Sequence, residues 1–316
     1  MINGVINVYK EKGYTSHDVV AVLRGVLKQK KIGHTGTLDP DATGVLPVCL
    51  GSATKLCDML TDKNKEYVAE FLLGKTTDTQ DITGEVVTEC EVNVSSEQVK
   101  NAVYSFLGKS EQIPPMYSAL KVNGKKLYEL AREGKEIERK ARPIEILDLE
   151  ILEIDLPKVK IRVSCTKGTY IRTLCYDIGQ KLLCGAVMTS LVRTKVERFE
   201  IAQAKTIADI EGLQKEGLLD DYIVPVDTVF CKYQELIVKN EFQKMIDNGN
   251  AVYPNQIKNE EVWNQAVQLF LEKIEMDQNE EEKLYARVYN ENGNFYGIYY
   301  YHLEQERFVQ IGRAHV

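Results

Sequence analysis

The stretch GHTGTLDPDATGVLPVCLG, residues 33–51, places four glycines around Asp39 and Asp41 and then turns apolar. Its spacing can be tested against known phosphate and metal loops. A P-loop needs Gly-x4-Gly-Lys-Ser/Thr after a strand, and no lysine follows Gly44 or Gly51 in that way. A dinucleotide loop needs Gly-x-Gly-x-x-Gly, which Gly33, Gly36, Gly44 and Gly51 do not form. A calcium loop starting at Asp39 matches at Asp41 and Gly44, but its twelfth position, which should be a bidentate Glu, is Leu50. What remains is a carboxylate fixed between Leu38 and Pro40 on a loop. Two readings stay open: a tight turn in which Asp39 satisfies backbone donors, or an acid immobilised for chemistry.

The whole chain narrows the context. Its 316 residues suffice for two domains. At 44% hydrophobic and 28% charged it has the composition of a globular protein. No apolar run approaches a membrane span, and MINGVINVYKEKGYTS at the start lacks the layout of a signal peptide. The seven cysteines are scattered, with no Cys-x-x-Cys pair. They predict free thiols in a reducing cytoplasm, with neither a disulfide framework nor a zinc site.

Net charge is −7, so any polyanion partner must be held by local charge. Residues 121–142 carry eight basic side chains, Lys121, Lys125 and Lys126 among them, against four acidic ones. Arg24, Lys28, Lys30 and Lys31 form a second basic cluster just before the glycine-rich stretch. Residues 272–283 are the reverse, with six acids and two lysines. Such runs are usually solvated helix faces. Two basic clusters, one abutting an unusual loop, favour a polyanion.

Periodicity gives an α+β class. Val20, Leu23 and Leu27 share one helical face, and a Ser cap opens a helix running toward Gly108. KEYVAEFLLG reads as a strand ending at Gly74. EILDLEILEIDLPKVKIRVSCT alternates over two strands broken near Pro157, and IRTLCYDIGQKLL reads as a helix. The pattern changes near residue 230. Beyond it lie one helical stretch, NEEVWNQAVQLFLEKI, and a hairpin marked by Asn292-Gly293. A small β-rich domain is therefore expected over 231–316. Tyr296 and Tyr299–Tyr301 could stack bases, although strand packing explains them more simply. The final residues, IGRAHV, fit a translated sequencing adapter and are set aside.

Five segments in order now resemble one family, the TruB-type tRNA pseudouridine-55 synthases of bacteria. They are VYKEKGYTSHDVV, the 33–51 stretch, KEYVAEFLLGKTTDTQDITG, IPPMYSALKVNGKKLYELAREG and CTKGTYIRTLCYDIG. The resemblance spans most of residues 3–230. It implies a pseudouridine synthase fold, a mixed and largely antiparallel sheet flanked by helices, over residues 1–230. It also implies that 113–142 form a basic lobe clamping RNA and that 231–316 are a PUA-like RNA-binding domain. The implied reaction isomerises uridine 55 in the T loop of tRNA, replacing N1–C1′ by C5–C1′ after the base is flipped out. No cofactor, metal or obligatory protein partner is expected, and the protein would act as a monomer on the tRNA T-arm.

Carried over residue by residue, Asp39 is the nucleophile and Arg172 holds it ionised. Tyr67 stacks on the base and takes the proton from C5. Tyr170 and Leu191 complete the base pocket. His34 holds the RNA beside the flipped nucleotide, and Lys10 contacts phosphate or positions the loop. Lys121, Lys125 and Lys126 contact RNA from the basic lobe. Three positions depart from the family pattern: Glu11 stands for a proline, Val187 for a histidine and Val192 for an arginine. Two rival readings differ in class. One is a non-catalytic RNA-binding or RNA-folding protein on this scaffold. The other is a retaining glycoside hydrolase pairing Asp39 with an acid such as Asp81.

Overall fold

The computed structural model describes residues 1–61, 63–122, 124–277 and 283–311. Along the chain come β1 (Gly4–Lys10), α1 (Ser16–Val26), β2 (Ile32–His34), β3 (Thr43–Leu50), α2 (Cys57–Thr61), β4 (Lys65–Leu73), β5 (Lys75–Thr77), β6 (Val86–Glu89), α3 (Ser96–Tyr104), β7 (Gly108–Gln112), β8 (Lys121–Val122), β9 (Lys125–Lys126) and α4 (Leu127–Arg132). There follow β10 (Arg142–Asp155), β11 (Lys158–Cys165), α5 (Ile171–Lys181), β12 (Ala186–Val196), β13 (Phe199–Glu200), α6 (Ile207–Glu216), β14 (Ile223–Val224) and α7 (Val226–Val229). The C-terminal part holds β15 (Gln234–Val238), α8 (Gln243–Asp247), α9 (Glu260–Asp277), β16 (Tyr285–Asn290), β17 (Phe295–His302) and β18 (Arg307–Gln310).

One mixed sheet runs in the order β14-β1-β3-β12-β4-β11-β10-β7, with β2 on β3 and β13 on β12. Every pairing in it is antiparallel except β12 with β3. β4 buries alternate residues, Tyr67, Ala69, Phe71 and Leu73, as a period of two requires. They meet Ile171, Leu174, Cys175 and Ile178 of α5 in one core. Thr15 starts α1 with a reciprocal cap: its hydroxyl accepts from Asp18 N while Asp18 accepts from Thr15 N. Val19, Val20 and Leu23 then pack on Ile6, Val8, Leu46 and Val48.

The 33–51 stretch is less of a loop than its glycines and prolines suggest. Most of it is the hairpin β2–β3, and only residues 35–42 connect the strands. The apolar run VLPVCL is a strand buried on both faces. Leu46, Val48 and Leu50 face α1, while Val45 and Cys49 face the opposite core. Pro47 lies in this inner strand, and its carbonyl accepts from Thr35 N and Thr35 Oγ1.

A second, four-stranded sheet follows in the order β15-β16-β17-β18. Its β16–β17 hairpin turns through Asn292-Gly293 with Gly293 at φ +80, and β15 pairs parallel to β16. Trp263 of α9 meets Phe308 edge-on at 4.8 Å and donates through Nε1 to Glu235 O. Tyr299 and Tyr301 are buried in this core, so strand packing occupies them. Phe230, Tyr233 and Tyr285 form a stacked series joining the two sheets. Residues 278–282 of the acidic stretch and 312–316 of the adapter-like end lie outside the described residues. No described helix is long and apolar enough to cross a membrane.

Gly44 marks where β3 and β12 come closest. It pairs with Arg193, sits at φ +106, and a Cβ there would lie 2.2 Å from Arg193 O. Gly44→Ala is expected to cost about 2–4 kcal/mol, from overpacking added to an unfavourable φ. Chemical denaturation of both proteins measures it, and an unchanged midpoint would contradict the close approach.

Candidate active site

Backbone capture holds the 35–42 loop. Lys10 is completely buried at the end of β1. Its ammonium donates to Ala42 O at 2.6 Å, Pro40 O at 3.0 Å and Glu11 O at 3.1 Å. Three carbonyls take its three protons, so no phosphate can reach it. Of the two roles expected for Lys10, loop positioning fits this geometry and phosphate contact does not. Burial lowers its pKa to about 8, with the charges of Asp39 and Asp41 opposing the shift. Leu38 N donates to Ser16 Oγ, and Gly13 N to Pro40 O, which ties the loop to the start of α1.

Asp39 emerges from this fixed loop and meets Arg172, on the first turn of α5. Arg172 Nε stands 3.0 Å from Asp39 Oδ2, and Nη2 donates to Oδ1 at 3.3 Å. This is the bidentate fork that guanidinium geometry favours. The same arginine, 5% exposed, donates to Thr79 O at 3.0 Å and Tyr117 O at 2.8 Å. It also faces Asp81 Oδ2 at 3.5 Å. Asp81 in turn accepts from Thr79 Oγ1, Thr83 N and Thr83 Oγ1. Sequence alone suggested Asp81 only as a hydrolase acid, whereas here it orients Arg172 from the β5–β6 turn.

Arg172 favours the charged form of Asp39, but burial acts against it more strongly. Some 39% of the Asp39 side chain is open to solvent, yet the carboxyl lies deep enough that desolvation raises its pKa. Arg172 opposes that rise and Asp81 adds to it. The carboxylate is thus oriented by Arg172 and partly withdrawn from water.

Tyr67 lies behind it on β4, buried in one core with Leu38 and Leu191. Burial pushes its phenol up to about 12, and the Arg193 guanidinium opposes this. Tyr170 caps α5 from the other side. Gln112 fixes its backbone, accepting from Tyr170 N at 2.8 Å and donating to Tyr170 O at 3.0 Å. Asp39 is close enough for its charge to raise the pKa of both phenols. Asp39 and Arg172 therefore meet from separate segments, Tyr67 and Leu191 share a core with Leu38 beside Asp39, and Tyr170 lies two residues before Arg172.

His34 stands at the edge of this group, at the end of β2. Its ring meets His17 edge-on at 5.0 Å and its Nδ1 is buried without a partner. Burial, aided by His17 and Arg193, lowers its pKa to about 4, so it is neutral near pH 7. Lys121, Lys125 and Lys126 are not in the pocket. They ride on the β8–β9 hairpin, where Lys126 and Arg132 both lie 5.3 Å from the Tyr128 ring. Lys125 approaches Glu133 at 3.6 Å across an exposed gap.

One residue escaped sequence reasoning. Arg193 is 1% exposed and pairs across the sheet with Tyr67. A signal was present, because Leu191 and Arg193 are two apart on one strand and so share a face.

Two family models match consecutive parts of the chain. The one described as TruB family pseudouridylate synthase (N terminal domain) matches residues 24–171. The one described as tRNA pseudouridylate synthase B C-terminal domain matches residues 172–230. The division falls inside one sheet, since β12 bonds to β3 and β4. The chain is 49% identical to the tRNA pseudouridine synthase B of Lachnoclostridium phytofermentans over 308 residues, 95% of either chain. It is 48% identical to that of Alkaliphilus oremlandii over 274 residues, 86% of this chain and 91% of the other. Among solved structures, one titled Crystal Structure of a Cbf5-Nop10-Gar1 Complex superposes with a TM-score of 0.68 at 26% identity, covering 94% of this chain and 78% of that one.

The raised carboxyl of Asp39 has a stability signature. An acid whose pKa is higher in the folded state stabilises the fold below its ordinary value and loses that contribution as pH rises through the raised value. At neutral pH the ionised carboxylate is therefore a cost. Asn keeps an oxygen facing Arg172 without the charge, so Asp39→Asn should melt at or above the parent temperature near pH 7. Any advantage should shrink as pH falls. A neutral-pH loss of several degrees would contradict the desolvated carboxylate.

Proposed function

The chain belongs to the TruB family of pseudouridylate synthases, and we propose that it converts uridine 55 in the T loop of tRNA to pseudouridine. The observation that carries this reading is the Asp39 carboxylate clamped by Arg172, on a loop whose Leu38 packs in one core with Tyr67 and Leu191. Exchanging a C–N for a C–C glycosidic bond needs a carboxylate at the sugar, a slot that holds the freed base, and a base for the C5 proton. In this reading Asp39 acts on the sugar at C1′ while the N1–C1′ bond breaks. The uracil is kept by stacking on Tyr67 and by the apolar wall of Leu191 while it turns to present C5. Tyr67 then takes the C5 proton. Arg172 keeps the carboxylate aimed throughout.

The target nucleotide must leave the T-loop stack to reach this pocket. In this reading His34, which burial keeps neutral, contacts the neighbouring nucleotide. The lysines of the β8–β9 hairpin, with Tyr128 beneath Lys126 and Arg132, offer cations and an aromatic face suited to a folded RNA arm. The β-rich domain after residue 230 acts in this reading as a PUA-like second RNA contact. Seven free cysteines suit the reducing cytoplasm, where we place the enzyme as a monomer.

The hydrolase reading loses ground because Asp81 is occupied. Its oxygens serve Arg172, Thr79 and Thr83, and it shares its arginine with Asp39 without facing it across a sugar cleft. Incubation with unmodified tRNA, followed by mapping of pseudouridine, tests the proposal directly. Asp39→Asn should lose about a thousandfold or more in turnover while binding tRNA. Comparable turnover by Asp39→Asn would remove Asp39 from the chemistry. Replacing Lys121, Lys125 and Lys126 with Ala should weaken tRNA binding and flatten its salt dependence, by about 0.7–0.9 in log–log slope for each phosphate no longer neutralised. An unchanged slope would leave the hairpin a solvated surface.

A further inference from the structure

Arg193 has no place in the mechanism above, yet its burial calls for an account. It lies on β12 between β3 and β4, opposite Gly44 on one side and Tyr67 on the other. Its Nε donates to Val45 O at 2.7 Å, and Nη2 reaches Gly36 O at 3.5 Å. These contacts use few of its five N–H groups, and a neutral side chain could make them. Among the described residues Arg193 has no carboxylate partner, and Asp39 is held by Arg172. A full charge buried at 1% exposure without a counter-ion is costly.

The group directly opposite it is a potential anion. Cross-strand partners in an antiparallel pair project to the same face with Cβ atoms about 4.5–5.5 Å apart. Arg193 and Tyr67 are such a pair, both buried, and the guanidinium charge favours the Tyr67 phenolate. The other charged or titratable groups acting on Tyr67 are Cys165 of β11 and Asp39 of the loop, and both disfavour a phenolate. Arg193 alone favours it.

We propose that Arg193 is a positioning residue that makes the Tyr67 phenolate available as the proton acceptor, an inference that rests on the pseudouridine synthase reading. Once the C5–C1′ bond has formed, the phenolate oxygen takes the proton from C5 and becomes a phenol. The C5–H electron pair closes the C5=C6 double bond, and the N1=C6 pair moves onto N1, which takes a proton from water. The phenol returns its proton to the hydroxide left behind. Burial raises the phenol to about 12, so the cation on its cross-strand partner governs how much phenolate exists near neutral pH. Arg193 needs no carboxylate partner on this account, because a carboxylate would weaken its pull on the phenol.

The test is single-turnover pseudouridine formation on tRNA carrying uridine with protium or deuterium at C5. The parent measured alongside establishes the activity, and a parent that forms no pseudouridine would overturn the function proposed above, not the role of Arg193. Arg193→Gln should slow formation by about a hundredfold, acquire a primary C5 isotope effect and speed up as pH rises, with tRNA affinity kept. Arg193→Lys, which keeps the charge, should recover most of the rate. Placing 3-fluorotyrosine, a more acidic phenol, at position 67 should accelerate both variants. If Arg193→Gln does not fold, the lysine variant with and without fluorination carries the test. A folded Arg193→Gln with parental rate and no isotope effect, or no acceleration of either variant by the acidic phenol, would overturn the proposal.

Discussion

One guanidinium holds the pocket together. Arg172 reaches the loop before β3 through Asp39, the β5–β6 turn through Thr79 O and Asp81, and the segment before β8 through Tyr117 O. These segments share no strand pairing at that point, so their meeting depends on a side chain with donors fanned in a plane. A lysine could carry the charge without fixing the directions. Placing the arginine on the first turn of α5 also fixes its depth, because that helix is locked to the sheet by Ile171, Leu174, Cys175 and Ile178. Orientation of the reactive carboxylate is thus inherited from core packing.

The pocket carries opposed electrostatic demands. In the proposed reaction Asp39 acts as an anion, and desolvation resists that. Tyr67 is buried, and desolvation resists its ionisation too. Lys10, Arg172 and Arg193 bring buried positive charge to these groups: carbonyls hold Lys10, carbonyls and the Asp39 carboxylate hold Arg172, and Arg193 donates to Val45 O. Carbonyls solvate a cation without cancelling it. The cations can therefore act on the groups that must become negative, in a region where screening by water is weak.

Much of this was legible in the sequence, though unequally. The strand β4 and the Ser cap of α3 follow from local chemistry, so they read directly. The 33–51 stretch looked like a loop because glycine and proline are loop residues. It is mostly hairpin because both of its faces are covered by distant elements. The parallel β15–β16 pairing leaves no local trace for the same reason, since the partners are joined through α8 and α9. The convergence on Asp39 came from family resemblance. Arg172 by itself reads as a charge at a helix start, and nothing within its own segment tells of its burial. Arg193 could have been found by alternation, because an arginine two residues after Leu191 shares its inward face.

The double-sided burial of β1 and β3 limits how separable the two halves of the chain are. Val5, Val45, Cys49, Val196 and Phe199 are covered by a cluster that includes Phe230 and Ile298, with Tyr233, Tyr285 and Phe295 packed against it. The strand carrying Cys49 on that face begins at the end of the Asp39 loop. The small sheet is thus the back wall of the strands that lead into the Asp39 loop. An ancestor lacking it would have needed another cover for that face. The appended part could be exchanged or lost in evolution only together with the residues beneath it, which makes the joint a co-inherited unit and not a modular seam.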